Sequence, residues 1–186
     1  MTYSGNQSSA LYVSAQAVRM REGVLILDGQ DDYFDAGDGS HWNALLTGNF
    51  TIEEWIYLET DGRGTSRCIF NRGDDITGEQ NTFIRLDVQN NDTLQFKLRN
   101  AGANLTVTGS DPLLSDQWIH FSAVRQVGLA LTLYVNGQSY ATANDTLGTL
   151  TLIGSRPLTF GAANVGSTPG ADHYFSGMIN NLRMVE

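Results

Sequence analysis

The chain has 186 residues, of which 41% are hydrophobic, and this is enough for one domain with a sizeable core. It carries 11 basic and 20 acidic residues, a net charge of −9. Nucleic acids and anionic membranes attract clustered Lys and Arg, so we expect neither a nucleic-acid partner nor membrane insertion. Cys68 is the only cysteine, which excludes an intramolecular disulfide, and we interpret it as a small buried hydrophobe.

Residues 1–22 differ in composition from the rest of the chain. They are rich in Ser, Ala, Gln and Asn, and they lack the basic and apolar regions of a secretion signal. We interpret them as an N-terminal arm that contacts other protein subunits or, alternatively, a groove on its own domain, followed by a single domain over residues 23–186. The expected location is a virion, or the extracellular space after release without a signal peptide, and otherwise the cytoplasm.

From Gly23 onwards, short apolar or alternating runs are separated by turn residues. No segment shows a helical period of useful length. Many short strands with regular turn signals are typical of a β-sandwich or jelly roll. The strands predicted from these runs are 24–27, 33–36, 50–58, 68–70, 82–88, 93–98, 105–107, 118–125, 131–135, 139–143, 158–161 and 175–185.

The clearest pattern lies between Trp118 and Gly137. Residues 118–125 and 131–135 alternate with a period of two, which predicts two half-buried neighbouring strands. Asn136-Gly137 supplies the positive φ angles that a two-residue hairpin loop requires. The outward positions, which include His120, contain no reactive set of side chains. This region therefore indicates the fold class and favours binding over catalysis.

Four motifs follow one another over residues 24–185. They are Leu27-Asp28-Gly29 with Asp32-Tyr33-Phe34, Phe50 to Ile56, Gln117 to Phe121 with Leu133 to Gly137, and Phe175 to Arg183. In order and spacing they resemble the laminin G-like, concanavalin A-like jelly rolls. The resemblance implies an all-β, two-sheet antiparallel jelly-roll sandwich, here with an N-terminal arm. It does not specify the function, because this fold hosts lectins, adhesion modules, glycosidases and virion proteins.

A structural calcium ion is one expectation that stays open. Related sandwiches often carry acidic residues in the closing strand, where this chain has Asn180-Asn181. Carboxylate oxygens suit calcium, but no acidic cluster here has the spacing of an EF-hand loop, and Asp is common in turns for its own backbone hydrogen bonds. We favour the turn interpretation and assign no metal ligands. The acidic clusters are Asp28/Asp31/Asp32, Asp35/Asp38 and Asp74/Asp75.

Catalysis is not expected. Glycosidases need two carboxylates that face one cleft, whereas the neighbours Glu53 and Glu54 point to opposite faces of their strand. No Ser-His-Asp set is legible either. Glu54 lies on the predicted core face, where a carboxylate needs a partner. Arg125 and Arg183 are the candidates.

Two groups of loop residues are candidate ligand-binding sites: His41 with Trp42, and Asp172 with His173 and Tyr174. Aromatic rings can stack on sugars while polar groups bind hydroxyls. The competing interpretation is that Trp42 plugs the end of the sandwich and Tyr174 begins a strand.

Two hypotheses about the function remain. One is a non-catalytic structural or adhesion module displayed on an assembly, such as a phage virion decoration or fibre protein, with weak glycan binding. The alternative is a free lectin-like domain that binds a cell-surface or polymeric glycan.

Overall fold

The computed structural model describes residues 19–21, 23–60, 64–73, 82–152, 157–165 and 168–186. Two antiparallel sheets pack face to face. In spatial order, the first contains β1 (Arg19–Arg21), β2 (Val24–Asp28), β15 (Ser176–Val185), β4 (Phe50–Leu58), β9 (Trp118–Gln126), β10 (Ala130–Val135) and β11 (Gln138–Asn144). The second contains β3 (Phe34–Asp38), β12 (Pro157–Phe160), β5 (Arg67–Arg72), β6 (Phe83–Val88), β7 (Leu94–Asn100) and β8 (Ala103–Thr108). The strands β13 (Ala163–Val165) and β14 (Thr168–Asp172) form a separate pair.

A short 3-10 helix (Gly39–Trp42) and one turn of α-helix (Asn43–Leu46) connect β3 to β4. Asp38 caps the first of these, because its side chain accepts a hydrogen bond from the Ser40 amide. That hydrogen bond is the main reason why the pKa of Asp38 is lowered. Within the described ranges, no helical segment has the length and apolarity of a transmembrane helix.

The core lies between the two sheets and follows from strand alternation. In β4, Phe50, Ile52, Glu54, Ile56 and Leu58 are buried, while the residues that alternate with them point outwards. Strands β5 and β6 lie in the middle of the second sheet and are buried almost throughout. The two inner faces therefore form one hydrophobic layer, as expected for a sandwich.

A buried arginine joins the loops to the sandwich. Arg125 on β9 is almost fully buried, and its Nε donates to Asp145 Oδ2 at 2.9 Å. Its guanidinium also donates to the carbonyls of Thr47 at 3.3 Å and Gly48 at 3.2 Å. The Asp145 carboxylate balances the charge of Arg125, and the backbone carbonyls accept hydrogen bonds from its guanidinium N–H groups. A buried cation requires both.

The all-β sandwich predicted from the sequence is confirmed, and each predicted strand overlaps an observed one. Asn136 and Gly137 have φ angles of 49° and 77°, as the predicted tight turn requires. Cys68 is buried, and burial raises the pKa of its thiol. The short strands β1, β13 and β14 were not predicted. Strand β1 lies inside the proposed arm and pairs with β2, whereas residues 1–18 lie outside the described ranges.

Candidate functional site

The outward side of the seven-stranded sheet carries a cluster of aromatic rings. Strands β4 and β9 pair so that Trp55 lies opposite His120, and Tyr57 lies opposite Trp118. The ring centroids of the first pair are 5.1 Å apart, and those of the second pair are 5.7 Å apart with an edge-on geometry. We call these four residues the aromatic face. The rings support one another laterally, so they form a preorganised surface.

Two of these rings are exposed to an unusual degree for tryptophan. Trp55 is 39% exposed and Trp118 is 38% exposed. Their β-strand positions hold them in place: the Trp55 backbone pairs with β15 and β9, and the Trp118 backbone pairs with β4. Neighbouring exposed aromatic rings on a rigid sheet are the kind of apolar surface that marks a binding site.

Polar side chains border the aromatic face on two sides. An open cleft of about 300 Å³ is lined by Trp55, Trp118, Asn180 and Asn181. A second cleft of about 350 Å³ is lined by Tyr57, Glu59, Thr60 and Asp116. Amide and carboxylate groups beside aromatic rings provide both hydrogen-bond donors and acceptors next to an apolar platform.

The two asparagines reach the first cleft because of a β-bulge in β15. Asn180 pairs with Trp55 and Arg183 pairs with Glu53, so β15 has one residue more than β4 in this interval. Asn181 adopts a left-handed conformation, with φ of 54°. The bulge breaks regular pairing beside Trp55, and the described structure gives the Asn180 and Asn181 side chains no hydrogen-bond partner. Their amides are therefore available to a ligand.

On one side of the aromatic face, the neighbouring basic and acidic side chains, Arg183 and Glu53, neutralise each other in an ion pair. Arg183 donates to Glu53 Oε1 at 2.9 Å on the outer surface, two residues along β4 from Trp55. On the other side, Glu59 and Asp116 line the second cleft. The face therefore has no excess of cationic groups among the described residues. This arrangement suits neutral ligands better than anionic ones.

The loop residues predicted from the sequence lie in two separate places. Trp42 is packed against the core, as the plug interpretation expects, and His41 beside it is exposed. Asn43 accepts a hydrogen bond from Arg72 at the end of β5. The backbone of His173 accepts from Cys68, near the other end of β5. The two groups therefore lie at opposite ends of β5 and do not form one site.

At the second of these places, Tyr174 is half-buried in the link between β14 and β15, and Asp172 is the last residue of β14. The side chain of Asp172 is not among the described parts of the chain. Ligand binding at either loop position stays a prediction.

The aromatic face was missed because its parts are far apart in sequence. Alternation in residues 50–58 already places Trp55 and Tyr57 on the outward side, and alternation in 118–125 does the same for His120. That the strands are neighbours, and in which register they pair, is a tertiary property. The signal in the sequence that could have indicated this face was the presence of two large aromatic residues, Trp55 and Tyr57, at outward positions of one strand.

Glu54 lies on the core face, as predicted, but its predicted partners are wrong. It is fully buried, and neither carboxylate oxygen has a hydrogen-bond partner among the residues that the structure describes. Arg125 is engaged by Asp145, and Arg183 by Glu53 on the outer surface. Burial raises the pKa of Glu54 well above its usual range. Glu53 and Glu54 point to opposite faces, so they do not form a carboxylate pair in one cleft.

The acidic residues at the end of β2 form the one candidate metal cluster within the described chain. Ligand oxygens of Asp28, Asp31 and Asp32 lie within 4.8 Å of one another. However, Asp28 Oδ1 accepts the Gln30 amide at 2.9 Å, which is the pattern of an Asx turn. Asp74 and Asp75 lie outside the described residues.

A family model covers nearly the whole jelly roll. The laminin G model described as the concanavalin A-like lectin/glucanases superfamily matches residues 28–186. The chain belongs to this superfamily. The match begins at the end of β2 and includes both strands of the aromatic face. No curated protein sequence matches the chain.

Solved structures show the same superfamily fold at low sequence identity. The carbohydrate-binding module CBM40 of the Ruminococcus gnavus IT-sialidase, bound to α2,3-sialyllactose, has a TM-score of 0.67 and 14% identity, over 87% of this chain and 90% of that one. Domains LG4-5 of the mouse laminin α1 chain have a TM-score of 0.61 and 15% identity, over 88% of this chain and 40% of that one. A pentraxin of Limulus polyphemus has a TM-score of 0.55 and 18% identity, over 74% of this chain and 64% of that one. The chain thus spans less than two thirds of the last two.

Proposed function

We propose that this protein is a non-catalytic glycan-binding module and that the aromatic face is its binding surface. The observation that carries the proposal is the pair of exposed tryptophans, Trp55 and Trp118, on a rigid sheet beside Asn180 and Asn181. The apolar face of a pyranose ring can stack on an indole, while amide groups bind its hydroxyls. The similarity to a sialyllactose-bound module supports the class of ligand.

The preferred glycan is a neutral one. A sialylated glycan brings a carboxylate, and the chain carries a net charge of −9. Arg183 lies opposite Glu53, two residues along β4 from Trp55, and its guanidinium is already paired with the Glu53 carboxylate. Desolvation of a ligand carboxylate would then lack a dedicated cationic partner. We therefore expect lactose-terminated glycans to bind more tightly than their α2,3-sialylated counterparts.

The test is binding of lactose-terminated and sialyllactose-terminated glycans to wild-type protein and to two single variants, Trp55→Ala and Trp118→Ala. Each variant should weaken binding by about 30-fold or more, which corresponds to the loss of one binding hot spot. Leu129→Ala is the matched control, because it removes an exposed apolar side chain (62% exposed) from a turn away from the face. It should leave the affinity unchanged.

Three results would each contradict part of the proposal. Absence of binding across a broad glycan array would remove glycan recognition. Retained binding in both tryptophan variants, with loss in His41→Ala or Tyr174→Ala, would move the site to the loops. Incubation of bound glycans with the protein, followed by product analysis, tests the non-catalytic part, and release of a shorter glycan would overturn it.

Display on an assembly, such as a virion decoration or fibre role, is a second part of the proposal. The acidic composition and the polar segment 1–22 motivate it. The expected result is that the full chain co-sediments with particles and that a chain lacking residues 1–18 does not. Equal co-sedimentation of both chains would contradict a role for this segment.

A further inference from the structure

A cavity of about 150 Å³ opens between the two sheets beside the bulge of β15. Its walls are mostly apolar, with Leu25 and Ile179 from the seven-stranded sheet and Phe34 and Phe160 from the six-stranded sheet. A cavity of this volume can hold a molecule the size of benzene. Glu54 is the one ionisable residue among its described lining residues.

Glu54 is unusual because no described residue provides a counter-ion for its carboxyl group. Its oxygens are buried and unbonded, and its other neighbours at the cavity are apolar side chains, a glycine and two asparagines. The residue opposite it on β9 is Phe121, and opposite it on β15 lies the bulge. Native proteins rarely leave a buried polar group unsatisfied, so each such group calls for an explanation. Burial raises the pKa of Glu54, which favours its protonated form while the cavity is empty.

The chemistry of the walls selects among possible ligands. A purely apolar molecule would fill the space but leave the carboxyl group unsatisfied. An anionic ligand would place its negative charge beside the acidic Glu54 side chain, in a chain whose net charge is −9. An alkylammonium ion supplies hydrogen-bond donors and the missing positive charge. Its methylene chain can pack against Leu25 and Ile179, and the rings of Phe34 and Phe160, whose centroids lie 6.1 Å apart, attract a cation.

We propose that the cavity beside Glu54 binds a small organic cation, an alkylammonium group with a short apolar chain. The Glu54 carboxyl group releases its proton to solvent when the cation enters, and the resulting carboxylate pairs with the ammonium group. One proton therefore leaves for each ligand bound. This site lies on the inner side of β4 and is distinct from the outward aromatic face.

The probe is n-butylammonium, measured by calorimetry in buffers of different ionisation enthalpy and at several pH values. The expected result is one binding site, release of up to one proton per ligand, and an affinity that rises by up to tenfold per pH unit while Glu54 is protonated in the free protein. Butan-1-ol and butyrate are the neutral and anionic comparators of similar size. Both should bind more weakly than n-butylammonium.

Glu54→Gln keeps the shape of the side chain and should weaken n-butylammonium binding by about 30-fold or more, the usual cost of removing one partner of a buried charge pair. Glu53→Gln is the matched control on the opposite face and should retain wild-type affinity. Leu182→Trp, which fills the cavity, should also abolish binding and covers the case in which Glu54→Gln does not fold. Three results would overturn the proposal: no binding of n-butylammonium at any pH, equal affinity for butan-1-ol, or unchanged affinity in Glu54→Gln.

Discussion

Replacement of Glu54 by glutamine should stabilise the protein, and the gain should grow with pH. Most substitutions of buried residues destabilise a fold, so the expected sign is informative. Glu54 is fully buried, and no described group bonds to either oxygen. Glutamine has almost the same shape and never ionises. The substitution therefore removes a titrating group without opening a cavity.

The magnitude follows from linkage between protonation and folding. Below the pKa of an unfolded glutamic acid, about 4.3, Glu54 is protonated in both states and the variant should match the wild type closely. Above that pH the unfolded chain releases the proton, while the folded chain retains it because burial raises the pKa of Glu54. The unfolding equilibrium constant of the wild type then rises by up to tenfold per pH unit, until the folded-state pKa is reached.

The assay is urea unfolding of wild type, Glu54→Gln and the control Glu53→Gln from pH 4 to pH 8, without amines in the buffer. The difference between wild type and Glu54→Gln should widen as the pH rises. The Glu53→Gln difference should stay within about 1 kcal/mol, because its ion pair with Arg183 is exposed. A Glu54→Gln variant that is less stable than wild type near neutral pH would refute the reasoning. It would show that Glu54 is ionised and paired, as the sequence had suggested.

Three further predictions concern other parts of the chain. Asp145→Ala should destabilise the fold by about 3–5 kcal/mol in urea unfolding, because it leaves the buried Arg125 without its carboxylate; an effect below about 1 kcal/mol would contradict a buried pair. Gly177→Ala should lower the melting temperature sharply, since a Cβ there would lie 2.0 Å from the Tyr57 carbonyl oxygen at a φ of +140°, and an unchanged melting temperature would argue against this backbone path. Calcium should not shift the melting temperature if Asp28 and its neighbours serve as turn residues, whereas a saturable shift lost in Asp28→Asn would indicate a bound ion.

The fold was predictable because its signals are local. Strict alternation in residues 50–58 reappears as the observed burial of β4, and Asn136-Gly137 forms the expected turn. Strand β1 escaped prediction because it has only three residues, and its pairing with β2 is a non-local contact. The family motifs then placed these strands in one architecture, since their order along the chain is characteristic. Neither kind of signal contains the lateral contacts on which a ligand surface depends.

The bulge in β15 explains why the predicted partner of Glu54 was wrong. Gly177 and Ile179 are buried, so regular alternation would place Arg183 on the same inner face, within reach of Glu54. The extra residue at the bulge reverses this parity. Arg183 instead pairs in register with Glu53 and forms its ion pair on the outer surface. A single inserted residue thus moved a cation from one side of the sheet to the other.

The same bulge relates the two proposed sites to each other. Asn180 and Asn181 line both the outward cleft beside Trp55 and the inner cavity beside Glu54. A regular strand would pair its backbone with β4 at this point and close the layer between the two spaces. The broken pairing instead leaves two amide side chains on one face and an unpaired carboxyl group on the other. Because Trp55 and Glu54 are adjacent on β4 and point in opposite directions, Trp55→Ala and Glu54→Gln alter one space each. Failure of one binding proposal therefore leaves the other standing.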